Sequence, residues 1–589
     1  MKGVDPMPQA MALVQAGRFE QAIAQLRRQM QKQPNDPAAV HARGAVFLHL
    51  GEFTRAEFFL SRAVTLWPGV PAYHNNLANS LYSLNRLEDA VVHYRIALDR
   101  DPTYFPAYIG LAPTLTRLDR WEEAAAASFK AIQLRPDLAI PYDNAALALL
   151  RMGEIDEAER WLREGLKRLP RDARLQGTLV GMLAYSDRVT PEQLAAECAA
   201  AGAAIMGEAP RWAPHAKPPN PERKLRVGYV SPDLRNHSVA YFIEGLLEHH
   251  DRSQFELVCY DTAAVPDAVT ARLKSHVEKW IECPRLDSET LGARIRADQI
   301  DILVELSGYS SGHRMSLMAR KPAPVQVSYL GWATTTGVPT IDYRLVDSVT
   351  DPAGFERLSS ERLVRLDPCF LAYRPAADAP AVADRTPGSG FVFASFNTVQ
   401  KVTPTTVALW ASAMKAVPGS RLLLKSLGLA AARAQQRITE MLTAEGVDAT
   451  RVEMLPQTKG MKEHLETYAR VDVALDTAPY NGTTTTCESL WMGVPVVVME
   501  GDRHSARVGA TLLRAAGLAE LVATDRAQWL AIVTGLANDE PRRGTLRRGL
   551  REKLRASPLC DGVAHARRVE SAYRRMWRDW CGFRTGGRG

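Results

Sequence analysis

The 589 residues hold only seven cysteines, at 198, 259, 283, 369, 487, 560 and 581, and no Cys-x-x-Cys occurs among them. An odd, scattered set of this kind excludes a zinc ribbon or a dithiol redox motif and reads as reduced thiols in a cytoplasmic protein. The N-terminus MKGVDPMPQAMALVQAGRFE has no apolar h-region. Nor does any stretch approach the roughly 20 apolar residues that span a bilayer. Neither secretion nor a membrane partner is expected. Charge of one sign is also scarce, since 73 basic residues face 66 acidic ones for a net +7. The late arginine run PRRGTLRRGLREKLR (541–555) lacks interleaved aromatics for base stacking, so it reads as an exposed helical face and no nucleic-acid partner is expected.

What is present in regular supply is proline. It falls at 34, 68, 102, 136 and 170, a spacing of 34 held through five positions. Twelve residues before each stands an alanine (Ala22, Ala56, Ala90, Ala124, Ala158), and seventeen before each a turn-prone residue (Gly17, Gly51, Asn85, Asp119, Gly153). Each unit reads as helix, tight turn, second helix and proline stop. The period and pattern resemble the tetratricopeptide repeat, whose stacked hairpins form a groove suited to a polypeptide. Five units fit, which sets residues 1–172 apart as a repeat array.

A helical connector is expected over 173–222, ending in the proline-rich APHAKPPNPERK. Beyond it, short β-branched runs alternate with amphipathic segments. LRVGYV (225–230), FELVCYD (255–261), DILVELSG (301–308) and PVQVSYLG (324–331) form one set; FVFASFN (391–397), RLLLKS (421–426), RVEMLP (451–456), VDVALD (471–476) and PVVVME (495–500) form a second. Strands separated by helices predict parallel, doubly wound α/β sheets. We therefore expect one Rossmann-like lobe over 223–374, a linker PAADAPAVADRTPGSG (375–390), and a second lobe over 388–589, with ligands in the cleft at the strands' carboxyl ends.

Three stretches carry candidate chemistry. In PYNGTTTTCESL (479–490) a strand-to-helix junction holds four consecutive threonines, and the helix is expected over about 485–492. Thr485 and Glu488 fit a capping box. That motif uses a single threonine, whereas four in a row after a glycine place free amides and hydroxyls at the positive end of a helix, a site for a phosphate or diphosphate. In FASFNTVQKVTPTTVALW (393–410), Thr403 and Pro404 read as N-cap and first turn, and Lys401 can bring a mobile point charge to the same anion. In GYVSPDLRNHSVAYFIEG (228–245), His237 follows the first strand of the other lobe, across the expected cleft.

Taken together, SPDLRNHSVAYFIEGLLEHH (231–250), DILVELSGY (301–309), KPAPVQVSYLGWATTTGVPTIDYRLVD (321–347), FASFNTVQKVTP (393–404), LDTAPYNGTTTTCESLWMGVPVV (475–497) and SPLCDG (557–562) resemble the family of protein O-GlcNAc transferases and SPINDLY protein O-fucosyltransferases. The resemblance covers nearly the whole chain. It implies an α-solenoid of tetratricopeptide repeats followed by α/β GT-B architecture, and an inverting, metal-independent transfer of one sugar from a nucleotide sugar to Ser or Thr of a protein acceptor held by the repeats. No cofactor is implied, and the only Asp-x-Asp, Asp99 with Asp101, lies in the repeats. Lys401 matches the family lysine on the diphosphate, with Thr484 and Thr485 as the pair that cradles it. His237 matches a histidine facing donor and acceptor, as general base or as a residue that orients substrate. His464 matches the histidine on the nucleobase, Glu488 an acid on the ribose diol, and Thr398 a glutamine whose contact runs partly through the backbone. Thr483 stands where animal-type enzymes carry histidine, Glu488 where they carry aspartate, and Thr467 where they carry arginine, which brings the donor site closer to SPINDLY. UDP-GlcNAc is taken first on family breadth and GDP-fucose as the alternative. A non-catalytic repeat scaffold is a further alternative, and a homodimer is left open.

Overall fold

The 34-residue period is built as five helical hairpins: Met7–Gln15 with Phe19–Lys32, Pro37–His49 with Phe53–Leu66, Pro71–Ser83 with Leu87–Arg100, Phe105–Arg117 with Trp121–Leu134, and Ala139–Arg151 with Ile155–Arg168. Reversing direction within each hairpin takes one residue in the left-handed region. Gly17, Gly51, Asn85, Asp119 and Gly153 all adopt it, with φ of 71°, 75°, 63°, 58° and 78°. Besides glycine, Asn and Asp enter this region most readily, which is why the five positions draw on only those three residue types. The five alanines are wholly buried, so each marks a place where two helices meet without room for a longer side chain.

The computed structural model describes residues 6–586 apart from 210, 211, 216–219, 264, 387, 389 and 459. Part of the proline-rich APHAKPPNPERK stretch and part of the linker's end thus lie outside the described residues. The chain divides into two units between Pro170 and Arg171, the first being the repeats.

In the second unit, the helices Ala173–Leu183 and Pro191–Glu208 precede two parallel sheets. The N-lobe sheet comprises β1 (Leu225–Ser231), β2 (Phe255–Asp261), β3 (Lys279–Glu282), β4 (Ile302–Glu305), β5 (Val325–Ser328), β6 (Tyr343–Val346) and β7 (Arg362–Arg365), in the order β3-β2-β1-β4-β5-β6-β7. The C-lobe sheet comprises β8 (Val392–Ser395), β9 (Arg421–Lys425), β10 (Val452–Leu455), β11 (Val473–Leu475), β12 (Val496–Met499) and β13 (Val522–Ala523), in the order β10-β9-β8-β11-β12-β13. Strand order reverses beside β1 and beside β8, the positions at which such sheets open a crevice for ligands. A tetratricopeptide array followed by two parallel-sheet lobes of GT-B type is the architecture expected from the sequence.

Two features tie the lobes together. The long helix Gly562–Gly586 follows the C-lobe in sequence yet packs on the N-lobe. There His250 Nδ1 meets Glu570 Oε1 at 3.1 Å, Tyr329 Oη meets His565 Nε2 at 2.9 Å, and the Tyr343 hydroxyl donates to Asp579 Oδ2 at 3.3 Å. The linker is held by the arginine-rich helix Glu540–Arg555. The helix has the exposed face expected of that run, with Arg542, Arg548, Lys553 and Arg555 on it, and a buried side that was not expected. Arg547 is buried and donates to the carbonyls of Ala383 (3.1 Å) and Val471, while Arg551 donates to those of Pro380 and Trp491, both at 2.7 Å. Carbonyls in a segment without secondary structure need donors, and these guanidiniums supply them. Among the described residues no helix is long and apolar enough to cross a membrane.

Candidate active site at the strand ends of the C-lobe

Asp476, immediately after β11, organises the loop that leads to the threonines. Its Oδ1 accepts the N–H groups of Thr477 (2.8 Å) and Gly482 (2.7 Å) and the side-chain amide of Asn397 (3.2 Å), closing residues 476–482 into a tight turn. Its Oδ2 has no hydrogen-bond partner. Burial pushes this carboxyl up to about 6, against the pull of the Gly482 and Thr477 amides and of Lys401. Gly482 is required by close approach, because a Cβ there would lie 2.6 Å from Thr485 Oγ1 and 2.9 Å from Thr486 Oγ1.

The helix that follows runs Thr484–Trp491, with Thr483 as its N-cap residue and no side-chain cap. The capping box considered for Thr485 and Glu488 does not form. The Thr485 hydroxyl donates instead to Asn397 Oδ1 (3.1 Å), and Glu488 Oε2 pairs with His464 Nε2 (2.9 Å). Both groups are drawn away by partners from other elements, which leaves the helix's first amides uncapped by side chains. Thr484 Oγ1 is buried without a partner. An orphaned hydroxyl and uncapped amides at the positive end of a helix form a site for an anion.

Lys401 ends the short turn Val399–Lys401. Its Nζ donates to the Asn481 carbonyl at 2.7 Å and lies 4.5 Å over the Tyr480 ring. Tyr480 stacks in turn on Tyr185, with centroids 4.8 Å apart. Burial pushes the ammonium down to about 8, and Asp476 acts in the opposite direction. Lys401 and the threonine loop are therefore one assembly joined through Asn481. Thr398, at the start of the same turn, is exposed.

His464, on the helix Met461–Glu466, sits 6.0 Å from the Phe396 ring and 5.8 Å edge-on from Tyr468. Lys425, the last residue of β9, reaches beneath it: its Nζ donates to the His464 carbonyl (3.1 Å) and Thr467 Oγ1 (3.2 Å) and lies 4.7 Å over Phe396. Burial pushes Lys425 down to about 8, with Glu488 opposing. Phe396, His464, Lys425 and Glu488 thus form one cluster, aromatic with charged edges.

His237 stands on the N-lobe, in the segment after β1. Its Nδ1 accepts the Val239 N–H at 3.3 Å and lies 3.7 Å from Asp233 Oδ1. Burial pushes the Asp233 carboxyl up. The helix Ala240–His249 carries this segment toward the C-lobe, where the Tyr241 hydroxyl contacts Met461 Sδ at 3.9 Å, three residues before His464. Among the described residues no three His, Cys, Asp or Glu side chains converge as a metal site would require.

Asn397, Lys425, Asp476, Asn481 and Gly482 had not been singled out from sequence. The available signal was a polar residue closing an apolar strand, as Lys425 does in RLLLK and Asp476 in VDVALD.

Residues 191–373 and 382–569 match the model of glycosyl transferase family 41, and residues 7–71 and 75–139 match that of the tetratricopeptide repeat. The chain belongs to glycosyl transferase family 41. Within this family it is similar to the probable UDP-N-acetylglucosamine–peptide N-acetylglucosaminyltransferase SPINDLY of Arabidopsis thaliana, 42% identical over 369 residues, which are 62% of this chain and 40% of that protein. The probable enzyme of the same description named SEC, also from Arabidopsis thaliana, is 30% identical over 371 residues, 61% of this chain and 38% of the other. This family 41 chain thus spans about two fifths of the length of the curated relatives it matches. Among solved structures, a lysine-to-methionine mutant of the Thermobaculum terrenum O-GlcNAc transferase is 32% identical with a TM-score of 0.64, covering 99% of this chain and 100% of that one.

Proposed function

We propose that this family 41 chain is an inverting, metal-independent protein O-glycosyltransferase that moves one sugar from a nucleotide sugar to Ser or Thr of a polypeptide acceptor. The observation that carries the reading is the uncapped helix end at Thr484, with its orphaned hydroxyl, on the same loop that receives Lys401. In the reaction the acceptor oxygen attacks the anomeric carbon as its proton passes to a base, a diphosphate oxygen or water, the bond to the diphosphate oxygen breaks, and negative charge grows on the departing nucleotide. Lys401, the amides of Thr484 and Thr485 and the Thr484 hydroxyl stabilise that charge, a role worth about 10²–10³ in rate per group. The cluster of Phe396, His464, Lys425 and Glu488 meets the nucleoside, with His464 against the base and Glu488 toward the ribose.

His237, with its Nδ1 between the Val239 N–H and the Asp233 carboxylate, serves as general base or as a residue that orients substrate, both within reach of an imidazole. In the repeat unit, a cavity of about 640 Å³ lined by residues including Met7, Met11, His41, Tyr73 and Asn76 suits an extended acceptor segment.

UDP-GlcNAc is the first donor to test. GDP-fucose is a second reading, favoured by Thr483 in the donor loop. Calorimetry with UDP, GDP, UDP-GlcNAc and GDP-fucose, followed by mass spectrometry of a lysate incubated with the preferred donor, tests both. Absence of nucleotide binding at millimolar concentration overturns the enzyme reading, and binding without transfer to any protein selects the scaffold instead.

A further inference from the structure

We propose that His504 and Asp351 form a latch between the two lobes that positions Lys401, acting through Asn481. The inference rests on the reading of Lys401 as the group that meets the diphosphate. His504 lies in the segment that follows β12. Its Nδ1 pairs with Asp351 Oδ2 of the N-lobe at 2.5 Å, and Arg344 Nη1 holds the other carboxylate oxygen at 3.3 Å. All three side chains are buried, so the contact is shielded from water and its geometry is tightly set.

The same segment grips the N-lobe twice more, through Arg507 Nε to the Val349 carbonyl (2.6 Å) and the Thr511 hydroxyl to Asp347 Oδ2 (2.7 Å). On its other side it grips the donor loop. The Asn481 N–H donates to the Ser505 carbonyl at 2.9 Å, one residue from His504, and the Gly509 N–H donates to Asn481 Oδ1 at 3.2 Å. The remaining backbone group of Asn481, its carbonyl, is the acceptor of Lys401 Nζ.

Asn481 is thus clasped from behind by the latch segment while it holds the lysine in front. A lysine is a point charge on a flexible stem, and its resting place is set by whatever accepts its hydrogen bond. Displacing a reacting group by about 1 Å is enough to lose about 10²-fold in rate. His504 and Asp351 touch no reacting atom in this scheme and are positioning residues.

The test is a double-mutant cycle on single-turnover transfer, since a chain of contacts shows coupling only when coupling is measured. His504→Ala is expected to lower the transfer rate about tenfold in the otherwise native chain and to have no further effect in Lys401→Ala. His504→Asn, which keeps a donor near the position of Nδ1, is expected to restore most of the rate. A tenfold loss that persists in Lys401→Ala means that His504 acts independently of the lysine and overturns the proposal, as does an unchanged rate in His504→Ala. Failure of the underlying reading shows separately, as a Lys401→Ala protein that transfers at the native rate. Melting temperatures of all four proteins identify any variant that has merely unfolded, and Asp351→Glu, which keeps the charge but displaces it, then takes the place of His504→Ala in the same cycle with the same expected and overturning results.

Discussion

At the carboxyl ends of its strands the N-lobe keeps acids whose oxygens are all claimed, whereas the C-lobe keeps amines and hydroxyls with capacity left over. Glu305, closing β4, accepts the amides of Ser307 (3.0 Å) and Gly308 (2.7 Å) on one oxygen and the Ser328 hydroxyl on the other. Asp347, after β6, accepts the amides of Val349, Thr350 and Phe370 and the Thr511 hydroxyl. Those acids serve their own turns. In the C-lobe, by contrast, Asp476 has one unclaimed oxygen, Thr484 an unclaimed hydroxyl, and two lysines are pushed down by burial. Under the proposed function the contrast between these acids and amines is that of a wall and a receptacle for negative charge, although Thr262 after β2 also keeps a hydroxyl without a partner.

That contrast can be broken experimentally, and the sharpest instrument is Lys401. Lys401→Ala is expected to lower transfer by about 10²–10³ with little change in melting temperature, because the tie it removes, to the Asn481 carbonyl, is offset by relief of an ammonium that burial pushes down. A rate within a few-fold of native would place the receptacle elsewhere. The next effect is pH. The charged form of Lys401 is the useful one and is lost as pH rises through about 8, so kcat/KM for the donor should fall above that point by about tenfold per pH unit. With a diphosphate bound the charged form is favoured, so kcat should hold to higher pH than kcat/KM does. Thr484→Val keeps the shape and removes the orphaned hydroxyl, and should weaken donor binding by about tenfold in calorimetry while the melting temperature stays level or rises. The smallest effect on binding belongs to the N-lobe. Glu305→Gln keeps an oxygen for the Ser307 and Gly308 amides but puts an NH2 where the Ser328 hydroxyl needs an acceptor, which should cost about 1–3 kcal/mol of stability by denaturant unfolding, with donor affinity unchanged. A Glu305→Gln protein that folds normally but binds donor poorly would erase the distinction between wall and receptacle.

The repeats were the most legible part of the chain, because their turns need a particular backbone angle and only a few residue types supply it. Gly17, Asn85 and Asp119 announce the same geometry in different letters. The central strands were legible as well, since burial on both faces leaves unbroken runs such as LRVGYV. The strands β3, β6, β7 and β13 were not. KWIE and RLVR carry charge on half-buried edges, YRLV lies inside a longer motif, and β13 has two residues, so none shows the apolar run that marks a central strand. At the site, the threonines and Lys401 stood out by local pattern, but the capping box was a local reading defeated by distant partners. Nothing near Thr485 or Glu488 in sequence announces Asn397 or His464, which lie 88 and 24 residues away. The buried side of the arginine run is hidden for the same reason, since the carbonyls that Arg547 meets, those of Ala383 and Val471, lie 164 and 76 residues earlier.

The return of the helix Gly562–Gly586 to the N-lobe has a consequence for how the molecule comes into being. As the chain leaves the ribosome, the N-lobe sheet is complete by Arg365, yet the partners that the last helix gives to His250, Tyr329 and Tyr343 arrive only after the rest of the C-lobe has been made. The lobe synthesised earlier is therefore the one finished later. Until then it carries buried-type histidine and tyrosine side chains without their covering, and a ribosome stalled between the lobes should leave it open to chaperones and proteases, whereas the C-lobe meets no such delay.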